Sequence, residues 1–146
     1  MESSPPGPAR TPDDRRHTSL PGRRCYLTVL FCDLCGSTAL SASLEAEDYA
    51  EILGGLRQLY EIAVTRHGGT IVRVQGDGML AVFGYPHLQE GDGRRAAEAA
   101  LDLHDLIRDP VEPGLGARWP ELRLHSGIHS GLVLVQQGDM VLGRLE

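Results

Sequence analysis

The sequence contains no lysine and no asparagine, so all fourteen of its Lys+Arg residues are arginines. A mechanism that needs either of the missing side chains is therefore incomplete within this chain. Long apolar runs are absent too: the longest, at about residues 26–32, is far too short to span a bilayer. The first twenty residues have no apolar core, which argues against a secretory signal peptide. We expect a cytoplasmic location and no transmembrane segment.

The charge balance is acidic, with 20 Asp+Glu against 14 Lys+Arg and a formal net charge of −6. This balance argues against broad attraction to nucleic acid, so no nucleic-acid partner is expected. Residues 1–24 combine five arginines with five prolines, which predicts a disordered leader. The remaining residues, 25–146, are enough for one domain with 41% hydrophobic residues overall, typical of a globular chain.

Hydrophobic periodicity divides this domain into alternating strands and helices. The expected elements are a strand at 26–31, a helix at 45–67, strands at 70–75 and 79–83, a helix at 92–108, a loop at 109–120, strands at 122–129 and 132–136, and the start of another strand at 140–142. The turn signal Gly76-Asp77-Gly78 makes the second and third strands a β-hairpin. We therefore predict an α+β fold, a ferredoxin-like split βαβ sandwich.

The same periodicity predicts which faces of these elements are buried. Asp92 is expected to be the N-cap of the second helix. The apolar stripe of that helix is expected to contain Ala97, Ala100, Leu101, His104 and Ile107. On the first hairpin strand, alternation places Val72 and Val74 on one face, and Ile71 and Arg73 on the other.

Two carboxylates are the strongest candidates for chemistry. Asp33 follows the first strand and Asp77 lies in the hairpin turn. These strands can lie side by side in a split βαβ sheet, which would bring both carboxylates to one end. Hard oxygen ligands at such a site suit Mg²⁺ or Mn²⁺ shared with a phosphate substrate. The alternative is structural, because Asp-Gly favours tight turns and an Asp after a strand often caps the next element.

Three further patterns leave alternatives open. The loop from Asp33 to Thr38 consists mainly of small residues that can expose backbone N–H groups to phosphate, or it is a simple polar connection. The C-x-x-C pair Cys32 and Cys35 invites a zinc or dithiol interpretation, but no second such motif follows, which favours reduced cysteines near a strand end. His125 and His129 lie four residues apart and are either a metal pair or polar strand residues.

Several separated blocks together resemble one family, the class III nucleotidyl cyclase catalytic domains of bacterial type, over roughly residues 26–142. The blocks that carry the resemblance, in order, are FCDLCGSTALS, RHGGTIVRVQGDGMLAVFG, RRAAEAALDLHDLI and LRLHSGIHSGLVLV. The resemblance implies conversion of ATP or GTP to a 3′,5′-cyclic nucleotide and pyrophosphate in intracellular signalling. It also implies a homodimer or heterodimer formed through the cyclase domain.

The resemblance assigns roles to individual residues. It implies that two Mg²⁺ or Mn²⁺ ions are bound by Asp33 and Asp77, with the Leu34 carbonyl as a further ligand. It implies that backbone N–H groups contact the triphosphate in three consecutive residues, Gly36, Ser37 and Thr38. Where adenylate cyclases of the family commonly carry a purine-reading Lys, this chain has Arg73, so the choice between ATP and GTP stays open.

The family's transition-state Asn and Arg lie in a V-N-x-A-x-R helix that follows the blocks found here. No catalytic residue beyond the metal ligands is identified in this chain, which we expect to be the N-terminal part of a longer domain or a shortened homologue. A partner could complete its site, whereas a homodimer of this chain could not. The alternative function is a catalytically silent nucleotide-binding or dimerisation module that regulates a cyclase or fused partner. A diguanylate cyclase or polymerase-palm relative is less consistent with the hairpin Gly76-Asp77-Gly78.

Overall fold

The computed structural model describes residues 23–111, 114–136 and 139–141. Its elements in chain order are β1 (Arg23–Leu34), α1 (Ser37–Ser43), α2 (Ala46–Arg66), β2 (Thr70–Gln75), β3 (Gly78–Phe83), α3 (Asp92–Leu106), α4 (Leu115–Arg118), β4 (Leu124–Gln136) and β5 (Asp139–Val141). The strands form one sheet in the order β2-β3-β1-β4-β5, and all neighbouring strands are antiparallel. This order confirms the predicted α+β split βαβ sandwich.

The structure describes the start of the chain only from Arg23 onward. Residues 1–22 of the predicted leader lie outside the described residues. Arg23 and Arg24, which the sequence assigns to that leader, belong instead to β1, where they pair with Val135 and Leu134 of β4. Within the described ranges, no helix is both long and apolar enough to cross a membrane.

The two faces of the sheet differ in how they are covered. Successive side chains of a strand point to opposite faces, so β1 contributes Leu30, Cys32 and Leu34 to one face, and Leu27 and Val29 to the other. The first face, here called the helix side, packs against α2 and α3 and holds the larger buried cluster. The second face, here called the cleft side, has a smaller buried cluster.

Two of the five residues predicted for the buried stripe of α3, Ala100 and Ile107, are buried in the structure. The buried residues of the helix include Ala96, Ala99, Ala100 and Leu103, whereas Leu101 is 68% exposed. The prediction was wrong for Leu101 and missed Ala96, Ala99 and Leu103, because alanines at 96, 97, 99 and 100 fit two helical registers almost equally well. These buried residues of α3 pack against the helix side of the sheet.

Asp92 is the first residue of α3 and does not cap it. The N-cap is Gly91, whose φ of 84° is in the left-handed region that glycine adopts readily. The buried Asp92 carboxylate instead accepts the N–H of Gln89 at 2.9 Å and pairs with Arg95. The residue therefore ties the loop before α3 to the first turn of the helix.

The alternation predicted for β2 is interrupted by a β-bulge. The register with β3 shifts between Ile71, which pairs with Ala81, and Arg73, which pairs with Leu80. Ile71 and Val74 therefore both pack on the helix side, while Val72 packs on the cleft side. A bulge adds one residue to a strand, so the two-residue period fails at that point.

The predicted break in the last long strand is also absent. Residues 122–129 and 132–136 were expected to be separate strands, but β4 runs without interruption from Leu124 to Gln136. Its pairing with β1 continues over twelve residue pairs, and the hydroxyl groups of Ser130 and Thr28 lie 2.8 Å apart. The long pairing with β1 overrides the local turn signal of Ser130-Gly131.

Two further segments differ little from expectation. The predicted loop at 109–120 contains the short helix α4. The expected strand at 140–142 is β5, with Leu142 outside the described residues.

Candidate functional site

The end of β1 and the β2–β3 turn meet at one end of the sheet. Cys32 of β1 pairs with Met79 of β3, so Asp33 follows this pair on β1 and Asp77 lies in the turn just before β3. The backbone N–H of Leu34 donates to Oδ2 of Asp77 at 2.9 Å. This hydrogen bond directly joins the hairpin carboxylate to the segment that carries Asp33. The structure thus brings together the two carboxylate-bearing segments that the sequence singled out.

A third element fixes the hairpin turn. The hydroxyl of Tyr60, on α2, donates to the backbone carbonyl of Asp77 at 2.6 Å. Tyr60 is fully buried, and its burial is the main reason why the pKa of its hydroxyl is raised. The hydroxyl therefore remains a protonated donor at neutral pH. No local sequence signal pointed to this hydrogen bond.

An open cleft of about 530 Å³ lies beside these residues. It is lined by residues from four strands, namely Phe31, Cys32, Asp33, Arg73, Gln75, Gly78, Met79, Leu80, His125, Ser126 and Gly127. Asp33 and Arg73 are both exposed, so an acid and a base face the same open space. The cleft therefore offers a negative and a positive group within one volume large enough for a small molecule.

His125 belongs to this cleft, although its spacing alone did not indicate so. It pairs in register with Asp33, whereas His129 pairs with Val29 and does not line the cleft. The two histidines therefore do not act as a pair in this site. Only the register of β4 against β1, which depends on tertiary pairing, places His125 next to the acidic end.

The loop after β1 forms the start of α1. Gly36 has a φ of 64° and accepts the N–H of Leu40 at 3.0 Å, while Ser37 and Thr38 are the first residues of the helix. The first N–H groups of a helix have no partner within that helix. The N–H of Cys35 is already used, because it donates to the Arg123 carbonyl at 2.9 Å.

The oxygen atoms at this end of the sheet fit a hard divalent cation. Carboxylate and carbonyl oxygens are the ligands that Mg²⁺ and Mn²⁺ prefer, and Mg²⁺ is commonly held by one or two carboxylates together with substrate phosphates. Asp77 receives one hydrogen bond on Oδ2, which leaves further lone pairs on its carboxylate for a cation. In the described ranges, no cluster of three or more His, Cys, Asp or Glu side chains is arranged to hold a metal without such a substrate.

Cys32, the first cysteine of the C-x-x-C motif, is unsuited to zinc or dithiol chemistry. Cys25, Cys32 and Cys35 are all free thiols. Burial raises the pKa of the Cys32 thiol to about 11, and its bond from the Ser126 hydroxyl only partly offsets this effect. Because the thiolate is the form that binds metal and attacks disulfides, Cys32 is inert at neutral pH. The expectation of a buried, reduced cysteine is thus confirmed for Cys32, whereas Cys25 and Cys35 are only partly buried.

The fold and the cleft define an α+β sandwich with an acidic site at one end of its central strands. Residues 23–140 match the family described as the adenylate and guanylate cyclase catalytic domain. This match covers most of the chain, and the chain therefore belongs to that family. The resemblance of the separated sequence blocks is confirmed.

Individual relatives agree with this assignment. The chain is 26% identical over 112 residues to adenylate cyclase 1 of Rhizobium meliloti, which covers 77% of this chain and 17% of that protein. The crystal structure of the guanylyl cyclase Cya2 is similar with a TM-score of 0.70 and 29% identity, covering 86% of this chain and 66% of that one. The adenylyl cyclase CyaB from P. aeruginosa gives a TM-score of 0.69 and 28% identity, covering 79% and 60%. The chain thus spans a minor part of the curated relative and about two thirds or less of the solved domains.

Proposed function

We propose that this chain provides the metal-binding half of a nucleotidyl cyclase site that converts ATP or GTP to a 3′,5′-cyclic nucleotide. The reaction forms a bond between the ribose 3′ oxygen and the α-phosphorus, frees the hydroxyl proton and releases pyrophosphate. The observation that carries the proposal is the direct hydrogen bond between the Asp77 carboxylate and Leu34, beside Asp33. Membership of the cyclase family supports it.

The proposed ligands of two Mg²⁺ or Mn²⁺ ions are the side chains of Asp33 and Asp77 and the carbonyl of Leu34. When bound, such ions lower the pKa of an attacking hydroxyl and stabilise the charge that develops on the phosphates. Asp33 is exposed to the cleft and free to approach a substrate, while Asp77 is held by its two hydrogen bonds. The chain's own contribution is thus to hold two carboxylates at one end of adjacent strands.

The remaining proposed contacts position the nucleotide. The backbone N–H groups of Gly36, Ser37 and Thr38 would contact the triphosphate at the start of α1. Arg73 lines the same cleft and would donate to the purine. The similar structures include both a guanylyl and an adenylyl cyclase, so ATP and GTP both stay within the proposal.

We also propose that the site is completed by a partner subunit and acts in intracellular signalling in the cytoplasm. The sequence contains no asparagine, so the family's transition-state Asn must come from residues outside this sequence, in the same or another chain. A homodimer of a longer form, or a heterodimer, would supply it. The silent-module alternative makes the same nucleotide contacts but yields no product, and the experiment below separates the two.

The test is a complementation assay. This chain is mixed with a cyclase domain that keeps the Asn- and Arg-bearing helix but has both of its own metal-binding aspartates replaced by alanine. Cyclic product from Mn²⁺ with ATP or GTP must then arise at Asp33 and Asp77 of this chain. We expect product with the unchanged chain and none with Asp77→Asn.

Asp105→Asn provides the matched control, because it makes the same chemical change at an exposed position on α3. This variant should leave product formation unchanged. Undiminished product from Asp77→Asn would overturn the proposal. Mn²⁺-dependent nucleotide binding without any product, in a mixture whose partner is active with another metal-binding subunit, would favour the silent module.

A further inference from the structure

Tyr60 has a polar group in the middle of an apolar core. It lies on α2 with no exposed surface and packs within the helix-side cluster together with Leu56 and Ala63. A phenylalanine would fill much the same volume without placing a hydroxyl in this environment. A buried tyrosine hydroxyl normally needs a hydrogen-bond partner, because burying it unpaired is costly. Its partner here is the backbone carbonyl of Asp77, 2.6 Å away.

Asp77 is thereby held at two separate points. Its main chain accepts the Tyr60 hydroxyl from α2, and its carboxylate accepts the Leu34 N–H from β1 at 2.9 Å. Gly76, just before it, has a φ of 57°, which only glycine adopts without strain and which sets the turn. These contacts fix both the position of the turn and the direction of the carboxylate toward β1.

We propose that Tyr60 is a positioning residue that holds the Asp77 carboxylate at the end of β1, ready to bind a metal ion together with Asp33. The inference rests on the proposed metal site and adds a residue from the opposite layer of the fold. Loss of the hydroxyl would leave the Asp77 carbonyl without this donor and would release the turn from α2. The carboxylate would then have to be ordered when the ion binds, which weakens affinity.

The test is the Mn²⁺ affinity of the complete 146-residue chain, measured by the electron paramagnetic resonance signal of free Mn²⁺ with and without ATP. Tyr60→Phe removes the hydroxyl and keeps the ring. We expect its dissociation constant for Mn²⁺ to rise by about tenfold, the lower end of the effect seen when groups that orient metal ligands are removed. Asp77→Asn should weaken binding further.

Two control variants separate positioning from general stability. Tyr26→Phe removes the same hydroxyl from a half-exposed tyrosine of β1 and should bind Mn²⁺ like the unchanged chain. Ile52→Val trims a fully buried side chain of α2 and should lower the melting temperature without changing the Mn²⁺ affinity. All variants are compared well below their melting temperatures, with the fold checked by circular dichroism.

The outcomes distinguish failure of the inference from failure of the metal site. If Asp77→Asn weakens binding while Tyr60→Phe binds like the unchanged chain, the role of Tyr60 is wrong and the metal site stands. Equal weakening by Ile52→Val also overturns the role of Tyr60. If the unchanged chain does not bind Mn²⁺, or if Asp77→Asn binds equally well, both the metal site and the role of Tyr60 are wrong.

Discussion

The two faces of the sheet use the same strands for different purposes. Among the residues that the structure describes, 21 buried residues on the helix side form one cluster that includes α2, α3 and the segment around α4. On the cleft side, four buried residues form the cluster, and the acidic end carries exposed Asp33 and Arg73 beside an open volume. Near the end of β1, successive side chains therefore point either into the helix-side core or toward the cleft. Changes on the helix side should therefore alter folding, and changes on the cleft side should alter function.

The largest expected effect is functional and comes from Asp77→Ala. Product formation in the complementation mixture should fall by at least about a thousandfold, because bound metal ions supply several kcal/mol of charge stabilisation to such a reaction. The free energy of unfolding should fall by only about 1 kcal/mol, since one hydrogen bond to Leu34 is lost. Product formation is measured by chromatography, and unfolding by urea titration. If Asp77→Ala keeps product formation within tenfold of the unchanged chain, the assignment of function to the cleft side is wrong.

On the helix side, Leu103→Ala should cost about 2–5 kcal/mol of stability, because the side chain is fully buried in α3. Leu101→Ala, two positions earlier in the same helix, should change stability by less than about 0.5 kcal/mol, because Leu101 is 68% exposed. Urea denaturation of both variants measures the difference. A larger cost at Leu101 than at Leu103 would show that α3 packs in the register expected from sequence and not in the one observed.

Alkaline pH should weaken the fold through Cys32. Burial raises the pKa of this thiol from 9.0 to about 11, so the folded state keeps it neutral at a pH where the unfolded chain ionises it. The stabilisation is complete below pH 9 and is lost as the pH rises toward 11, on the order of 2–3 kcal/mol. The measurement is urea denaturation at steps from pH 8 to 11.

Cys32→Ala isolates the contribution of the thiol. Tyr60, whose pKa is raised by burial and also by the neighbouring Cys32, is present in both proteins, so the difference between them reports the thiol together with its coupling to Tyr60. The variant should lose less stability than the unchanged chain between pH 9 and 11. Parallel curves for the two proteins would mean that the Cys32 thiol is not protected from ionisation in the folded state.

The smallest expected effect concerns substrate choice. Arg73→Lys replaces a planar group with several donors by a point charge on a flexible stem, so contacts with the purine change. We expect the ratio of the ATP and GTP dissociation constants of this chain, measured with Mn²⁺, to shift by about three- to tenfold, the value of one net hydrogen bond. Arg94→Lys, at an arginine that is 83% exposed on α3, should leave the ratio unchanged. An unaltered ratio in Arg73→Lys would remove Arg73 from the nucleotide site.

Much of the helix side could be predicted from sequence, because strand and helix periods identify apolar faces directly. The positions of α2 and the hairpin followed from these periods and from the turn at Gly76-Asp77-Gly78, and the split βαβ class followed from the order of the elements along the chain. The register of α3 could not be predicted, since its alanines fit two stripes, and the bulge in β2 leaves no period-two signal. The continuity of β4 depends on its pairing with β1, which is a tertiary contact.

The candidate site was predictable in part for a related reason. Asp33 and Asp77 stand out by residue type at a strand end and a turn, and topology alone brings these segments together. His125 enters the cleft only through the register of β4, and the Tyr60 hydroxyl reaches the hairpin only through the packing of α2. Both features depend on contacts between elements that are far apart in sequence, and no local sequence pattern encodes such contacts.

The central claim is that Asp33 and Asp77 share a divalent-cation site on the cleft side. The most direct measurement is a crystal structure of the chain with Mn²⁺ and a non-reactive ATP analogue, using anomalous scattering to locate manganese. We expect anomalous peaks at about 2.1–2.2 Å from carboxylate oxygens of both residues, somewhat longer than the distances usual for Mg²⁺. Nucleotide bound in the cleft without manganese at either aspartate, or manganese bound elsewhere, would contradict the central claim.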